Sequence, residues 1–96
     1  MEEIIFNERY EHPFVGKEIV FTGALQSMTR IQAAKKARAL GANVAGAVTK
    51  ETDFVVLGKK RPTKSSKQKK AEQYIALGVD IQLIEEQDFL WLLEIR

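Results

Sequence analysis

Short apolar runs alternate along this chain with longer mixed segments, and glycine or a small polar residue marks most of the switches. Ile19-Val20-Phe21 is rich in β-branched and aromatic character and ends at Thr22-Gly23, which reads as a buried strand over 18–22. Phe54-Val55-Val56-Leu57 is apolar throughout and reads as a strand central in its sheet. Residues 43–48, short and β-prone, and 81–84 complete a set of four strands. Gly46, inside the second strand, predicts close packing against a neighbour.

Helical spacing appears in three places. Ile31, Ala34, Ala37 and Leu40 form an apolar stripe with Lys35, Lys36 and Arg38 facing outward, which predicts a helix over 30–40. Thr29 and Gln32 make a capping box at its start, and Gly41 ends it. Either Ser65 or Ser66 can cap a helix over 66–77, Ser65 making a capping box with Gln68; the helix buries Ala71, Tyr74 and Ile75 and stops at Gly78. A last helix over 87–94 buries Phe89, Leu90 and Leu93.

The order β-α-β-β-α-β-α predicts an α/β sheet with helices on both faces. The join between the second and third strands is the difficulty, because it offers only about five residues where parallel neighbours need a crossover of roughly a dozen. An antiparallel pair fits that length. A parallel pair requires short strands and an extended connection across the sheet edge. In a parallel sheet the two strand-to-helix loops emerge at one edge, where ligands of such folds bind.

Composition narrows the class. Ninety-six residues, 45% hydrophobic and 29% charged, suit a single-core globular domain over 14–96 preceded by an arm or linker over 1–13. With no cysteine and a lone His12, neither disulfides nor a thiolate or His-based metal site is expected. No apolar run approaches the roughly 18 residues of a membrane span, and Glu2 and Glu3 do not suit a targeting peptide. An intracellular protein is expected, cytoplasmic and nucleoid-associated in a bacterium or nuclear in a eukaryote. A small enzyme has little support, for there is no P-loop, carboxylate pair or nucleophile–His pairing, and no cofactor is expected.

The net charge of +2 hides an asymmetry. Lys59, Lys60, Arg61, Lys64, Lys67, Lys69 and Lys70 lie in one twelve-residue stretch without an acid, and the rest carries 8 basic against 13 acidic residues. A local positive field points to a specific anionic partner. It also admits a nuclear import signal. Thr22-Gly23 followed by a helix beginning at Arg30 is built like an anion site, with a hydroxyl, a closely approachable backbone and unpaired N–H groups. A parallel sheet brings the basic loop to that turn.

These residues resemble a BRCT domain. The resemblance covers 14–93 and is carried by Gly16-Lys17, Phe21-Thr22-Gly23-x-Leu25, Arg30 and the Gly41-Ala42 turn. It continues through Val44-x-Gly46-x-Val48-Thr49-Lys50-x-Thr52-Asp53-Phe54-Val55-Val56, Ser66-Lys67-x-x-Lys70-Ala71 and Leu77-Gly78-Val79-Asp80-Ile81. It ends at Glu85-Glu86-x-x-Phe89-Leu90-x-Leu92-Leu93. The nearest subclass is similar to the single BRCT domains of NAD-dependent bacterial DNA ligases and of the replication factor C large subunit. The resemblance implies a four-stranded parallel sheet of order 2-1-3-4 with helices one and three on one face and helix two on the other. It also implies a non-catalytic module in which Thr22, Gly23, Arg30 and Lys67 hold a phosphate, plausibly the 5′-phosphate of duplex DNA in replication or repair. Lys59, Lys60, Arg61, Lys64 and Lys70 would contact neighbouring backbone phosphates. A protein-interaction module, phosphopeptide-binding as in paired BRCT domains, is the alternative. The chain departs from the family pattern in having Ala42 for a second turn glycine, Phe89 for the usual tryptophan, and a longer, more basic loop before helix two. Trp91 falls at a variable position, to be covered by the N-terminal arm or free to contact a partner.

Overall fold

The computed structural model describes residues 12–59 and 64–95, so expectations for residues 1–11, Lys60 and Arg61 lie outside it. The elements run β1 (Glu18–Thr22), α1 (Arg30–Ala39), β2 (Asn43–Ala45), β3 (Phe54–Leu57), α2 (Ser66–Ala76), β4 (Gln82–Glu85) and α3 (Glu86–Leu93). The four strands make one parallel sheet of order β2-β1-β3-β4. No helix among the described residues is long and apolar enough to cross a membrane.

The antiparallel alternative for β2 and β3 is overturned, because the two are not neighbours. Both pair with β1, on opposite sides. What makes this topology feasible is that β2 stops at Ala45 rather than Val48, which lengthens the connection to residues 46–53. Eight extended residues reach roughly 26 Å. Passing two strand spacings of about 4.8 Å and returning along a four-residue strand of about 13 Å needs less. The expected strand over 43–48 therefore gives up its last three residues to the crossover. Gly46, expected to pack closely, has nothing near the position a side chain would take.

The crossover runs on the α2 side of the sheet. Val48 is buried there with Val20, Val55, Ala71 and Ile81. A turn follows, in which the Thr49 N–H donates to Thr52 Oγ1 (2.9 Å) and the Thr52 N–H to the Thr49 carbonyl (3.2 Å). The chain then re-enters the sheet where Asp53 and Glu18 exchange bonds: Asp53 N–H to the Glu18 carbonyl and Glu18 N–H to Asp53 Oδ2, each 2.9 Å.

The other face carries α1 and α3 over Phe14, Ile19, Phe21, Ala33, Ala34, Ala37, Val56 and Phe89. Phe89 contacts both Phe21 (5.2 Å, edge-on) and Phe14 (5.9 Å, stacked). His12 closes this end: its Nδ1 accepts from the Phe14 N–H, so its Nε2 carries the proton and donates to the Leu92 carbonyl at 2.7 Å. The expected stripe on α1 is rotated. Alanines 33, 34 and 37 take the buried face, where small side chains let the helix lie close, and Ile31 is left 73% exposed. On α2 only Ala71 is fully buried and Ile75 is exposed.

The Thr29–Gln32 box forms in full. Ser65 caps α2 through the Gln68 N–H, but the Gln68 side chain turns to Glu72 instead of reciprocating. Both strand-to-helix loops begin with a glycine, and the second is closely held. A β-carbon on Gly58 would lie 2.5 Å from the Ala24 carbonyl oxygen and 2.9 Å from that of Thr22. Gly58→Ala should therefore destabilise by about 1–3 kcal/mol through overpacking, whereas Gly46→Ala, in open space, should be neutral or stabilise by about 0.4–1 kcal/mol. Chemical denaturation of the two variants checks this, and equal effects would mean that the two loops are not in contact.

Candidate functional site

The site is built at the carboxyl end of β1. Successive carbonyls along a strand point to opposite sides. The Lys17 carbonyl accepts from Asn43 on the β2 side, while those of Glu18 and Thr22 accept from Asp53 and Gly58 on the β3 side. The Phe21 carbonyl therefore faces β2, which has already ended at Ala45. Two cations fill the gap. Arg30, first residue of α1, donates from Nη2 at 3.3 Å, and Lys67, in the first turn of α2, donates from Nζ at 3.1 Å.

The two donor nitrogens can be no farther apart than the sum of those distances, 6.4 Å. Like charges at that range repel by about 2–3 kcal/mol at an effective dielectric of ~20, and by well under 1 kcal/mol in bulk water. Both groups are largely in contact with solvent, so the smaller figure is nearer. The repulsion still leaves a mark: partial burial and, after it, the Arg30 guanidinium hold the Lys67 ammonium below the usual lysine range. Among the described residues neither cation has a carboxylate within 4 Å, and the ion pair present is Lys64–Glu72 at 3.0 Å.

Thr22 and Gly23 stand beside this pair. Thr22 is buried, with its Oγ1 2.9 Å from the hydroxyl of Ser65, the N-cap of α2. Gly23 turns at φ +78°, a region that disfavours side chains. Among the described residues its N–H has no protein partner. All four phosphate candidates thus meet at one strand end. Of the backbone candidates, Lys59 and Lys64 are exposed, and Lys64 is engaged by Glu72. Lys70 is exposed one turn beyond Lys67.

On the β3 side of Thr22 and Gly23 opens a cleft of about 770 Å³ that Arg30 and Lys67 do not line. Lys59, Lys64 and Ser65 border it, but so do Glu85 and Glu86. Two lysines and two glutamates border the cleft, and the converging Arg30 and Lys67 lie outside it. Glu86 is bound to the β1–α1 loop, accepting from the Gln26 and Ser27 N–H groups at 2.8 Å each and from the Ser27 hydroxyl. Its partial burial raises its pKa, but these bonds outweigh that and hold the carboxyl below the usual carboxylate range. Neither this contact nor the Thr22–Ser65 pair is visible in spacing, since each joins residues more than 40 positions apart. In the sequence Ser65 stands out only as a candidate cap and Glu86 only as part of the final motif. No group of three potential metal ligands occurs among the described residues.

Removing Arg30 should raise the Lys67 pKa part of the way to its ordinary value, since desolvation, the larger cause, stays. A titration of the Lys67 side-chain resonances in Arg30→Gln checks this. No change would mean that the two cations are not neighbours in solution.

Comparison with known proteins finds related chains. The 96-residue chain is 48% identical over 80 residues to a DNA ligase of Beijerinckia indica, an alignment covering 83% of this chain and 10% of that protein. It is 46% identical over 84 residues to a DNA ligase of Ruegeria pomeroyi, covering 88% and 10%, and 51% identical over 70 residues to that of Maricaulis maris, covering 73% and 9%. The chain spans about a tenth of the length of these relatives. A sequence model of the BRCA1 C Terminus (BRCT) domain matches residues 9–81. With the parallel 2-1-3-4 sheet and its helices on both faces, this shows that the chain belongs to the BRCT domain family.

Proposed function

We propose that this domain is a non-catalytic module that binds a terminal phosphate of DNA, the 5′-phosphate of a nick or duplex end, in a protein of DNA replication or repair. The observation that carries the reading is the convergence of Arg30 and Lys67 on the Phe21 carbonyl, with no carboxylate partner among the described residues. A carbonyl is a weak counterpart for two cations. A phosphate bearing about −1.5 to −2 would satisfy both with charge-assisted bonds. The Gly23 N–H and the one hydroxyl hydrogen that the Thr22–Ser65 pair leaves free supply donors beside it, which suits an oxyanion better than a neutral ligand.

The charge distribution favours an end over a continuous backbone. Arg30 and Lys67 are held together at one point by the Phe21 carbonyl, and Lys64, a candidate for flanking phosphates, is shared with Glu72. Lys59, Lys60, Arg61 and Lys70 would then add sequence-independent, salt-sensitive contacts. The ligase relatives make DNA the first ligand to test.

Arg30→Ala or Lys67→Ala should each cost about 1.5–3 kcal/mol of affinity for a 5′-phosphorylated duplex, the usual worth of a hydrogen bond to a charged group. The loss should be smaller for the 5′-hydroxyl duplex. Lys35, exposed on α1, is the control. Fluorescence anisotropy at two salt concentrations measures all three, and equal losses at Lys35 and Arg30 would replace the pocket with diffuse electrostatics. Tight binding of a phosphoserine peptide with no preference among DNA ends would favour the protein-interaction reading instead.

A further inference from the structure

We infer that Glu86 is a positioning residue for the phosphate site: from the first turn of α3 its carboxylate fixes the middle of the β1–α1 loop and so sets where Gly23 and Arg30 stand. The inference rests on the phosphate-binding reading above. Gly23 and Arg30 lie at opposite ends of the loop, residues 23–29, and a shared phosphate requires the ends to keep their separation. The first end is tied by the Lys59 N–H donating to the Ala24 carbonyl at 2.9 Å, the second by the Thr29–Gln32 box. Between them Leu25 and Met28 pack on the core, but Gln26 and Ser27 are exposed.

At that point water could satisfy the backbone and nothing local dictates its course. Glu86 does so from 59 positions away. Its Oε1 takes the Gln26 N–H and its Oε2 the Ser27 N–H, both at 2.8 Å, with the Ser27 hydroxyl as a third donor. Two oxygens on two successive amides fix direction as well as position. The carboxylate also lies in the first turn of its helix, where negative charge is favoured.

Charge alone predicts the opposite effect. Glu86 borders the same cleft as Thr22 and Gly23, so a purely electrostatic Glu86 would repel a phosphate, and removing its charge would tighten binding. Positioning predicts weaker binding. Glu86→Gln separates the two, because glutamine keeps the size but replaces one acceptor by an amide donor, so the two N–H groups can no longer each have their own oxygen.

The test measures the affinity of the full chain for matched 5′-phosphorylated and 5′-hydroxyl duplexes. Glu86→Gln should weaken the phosphorylated duplex about tenfold and the hydroxyl duplex by no more than about twofold, as for loss of one charged hydrogen bond confined to the site. Asp53→Asn is the comparison, since it turns a carboxylate–amide bond at the far end of the same sheet into a neutral one. It should lower the melting temperature and leave the phosphate preference intact. Tighter binding by Glu86→Gln, an unchanged preference, or an equal loss in Asp53→Asn would overturn the inference. Should Glu86→Gln fail to fold, Ser27→Ala removes one of the three contacts and should reduce the preference about threefold; no reduction would overturn it. A wild-type chain without any preference for the phosphate would sink the functional reading itself, an outcome distinct from a preference that survives Glu86→Gln.

Discussion

Eight residues, without a helix, must carry the chain from the end of β2, past β1, to the start of β3. Most parallel connections are longer and place a helix on the sheet. Here the crossover is made possible by stopping β2 after three residues, and the shortened edge strand has a second effect. It leaves the last β2-facing carbonyl of β1, at Phe21, without a ladder partner. A backbone carbonyl left unpaired near the interior costs about 1–3 kcal/mol. The chain meets that need with the first turns of two helices, and so brings a guanidinium and an ammonium to one point. Topology, rather than any local motif, concentrates the charge.

The arrangement separates two kinds of positive charge. Lys59, Lys64 and Lys70 are exposed, so their field reaches about one Debye length, 8–10 Å at physiological salt, and weakens as salt rises. Arg30 and Lys67 are anchored by hydrogen bonds to the backbone, and their separation is set before any ligand arrives. Preorganisation of this kind reduces the ordering that binding must otherwise impose on two long side chains. Diffuse cations can attract a polyanion. Only an anchored pair can distinguish an anion by its position.

Much of this was legible in the residues. β1, β3 and the loops following them stood out because buried strands carry continuous apolar character and loops carry glycine and charge. The four phosphate candidates could be named because the family resemblance fixes them to sequence positions. The end of β2 was not legible, since Ala45-Gly46-Ala47-Val48 has no residue that forbids a strand and only the crossover length decides where pairing stops. Ile31 misled for a related reason: periodicity assigns a face to the largest apolar side chain, but α1 lies close to the sheet through alanines. The partners Ser65 and Glu86 were hidden because their contacts are tertiary, joining groups more than 40 positions apart.

Those tertiary contacts explain why the site behaves as one object. Gly58 admits no side chain, so the β3–α2 loop starts flush against the β1–α1 loop, with Gly58 N–H on the Thr22 carbonyl at 2.7 Å and Lys59 N–H on that of Ala24 at 2.9 Å. Ser65 then meets Thr22 from one helix start, while Glu86 grips Gln26 and Ser27 from another. Three helix N-termini are thereby tied to a single strand end. Gly58 and Ser65 share Thr22 as a partner, and Glu86 holds the loop that Thr22 leads into, so the three act on one strand end. Non-additivity between Ser65, Gly58 and Glu86 variants follows from that sharing. Lys35, on the open face of α1, lies outside the network, and its substitution should add independently to theirs.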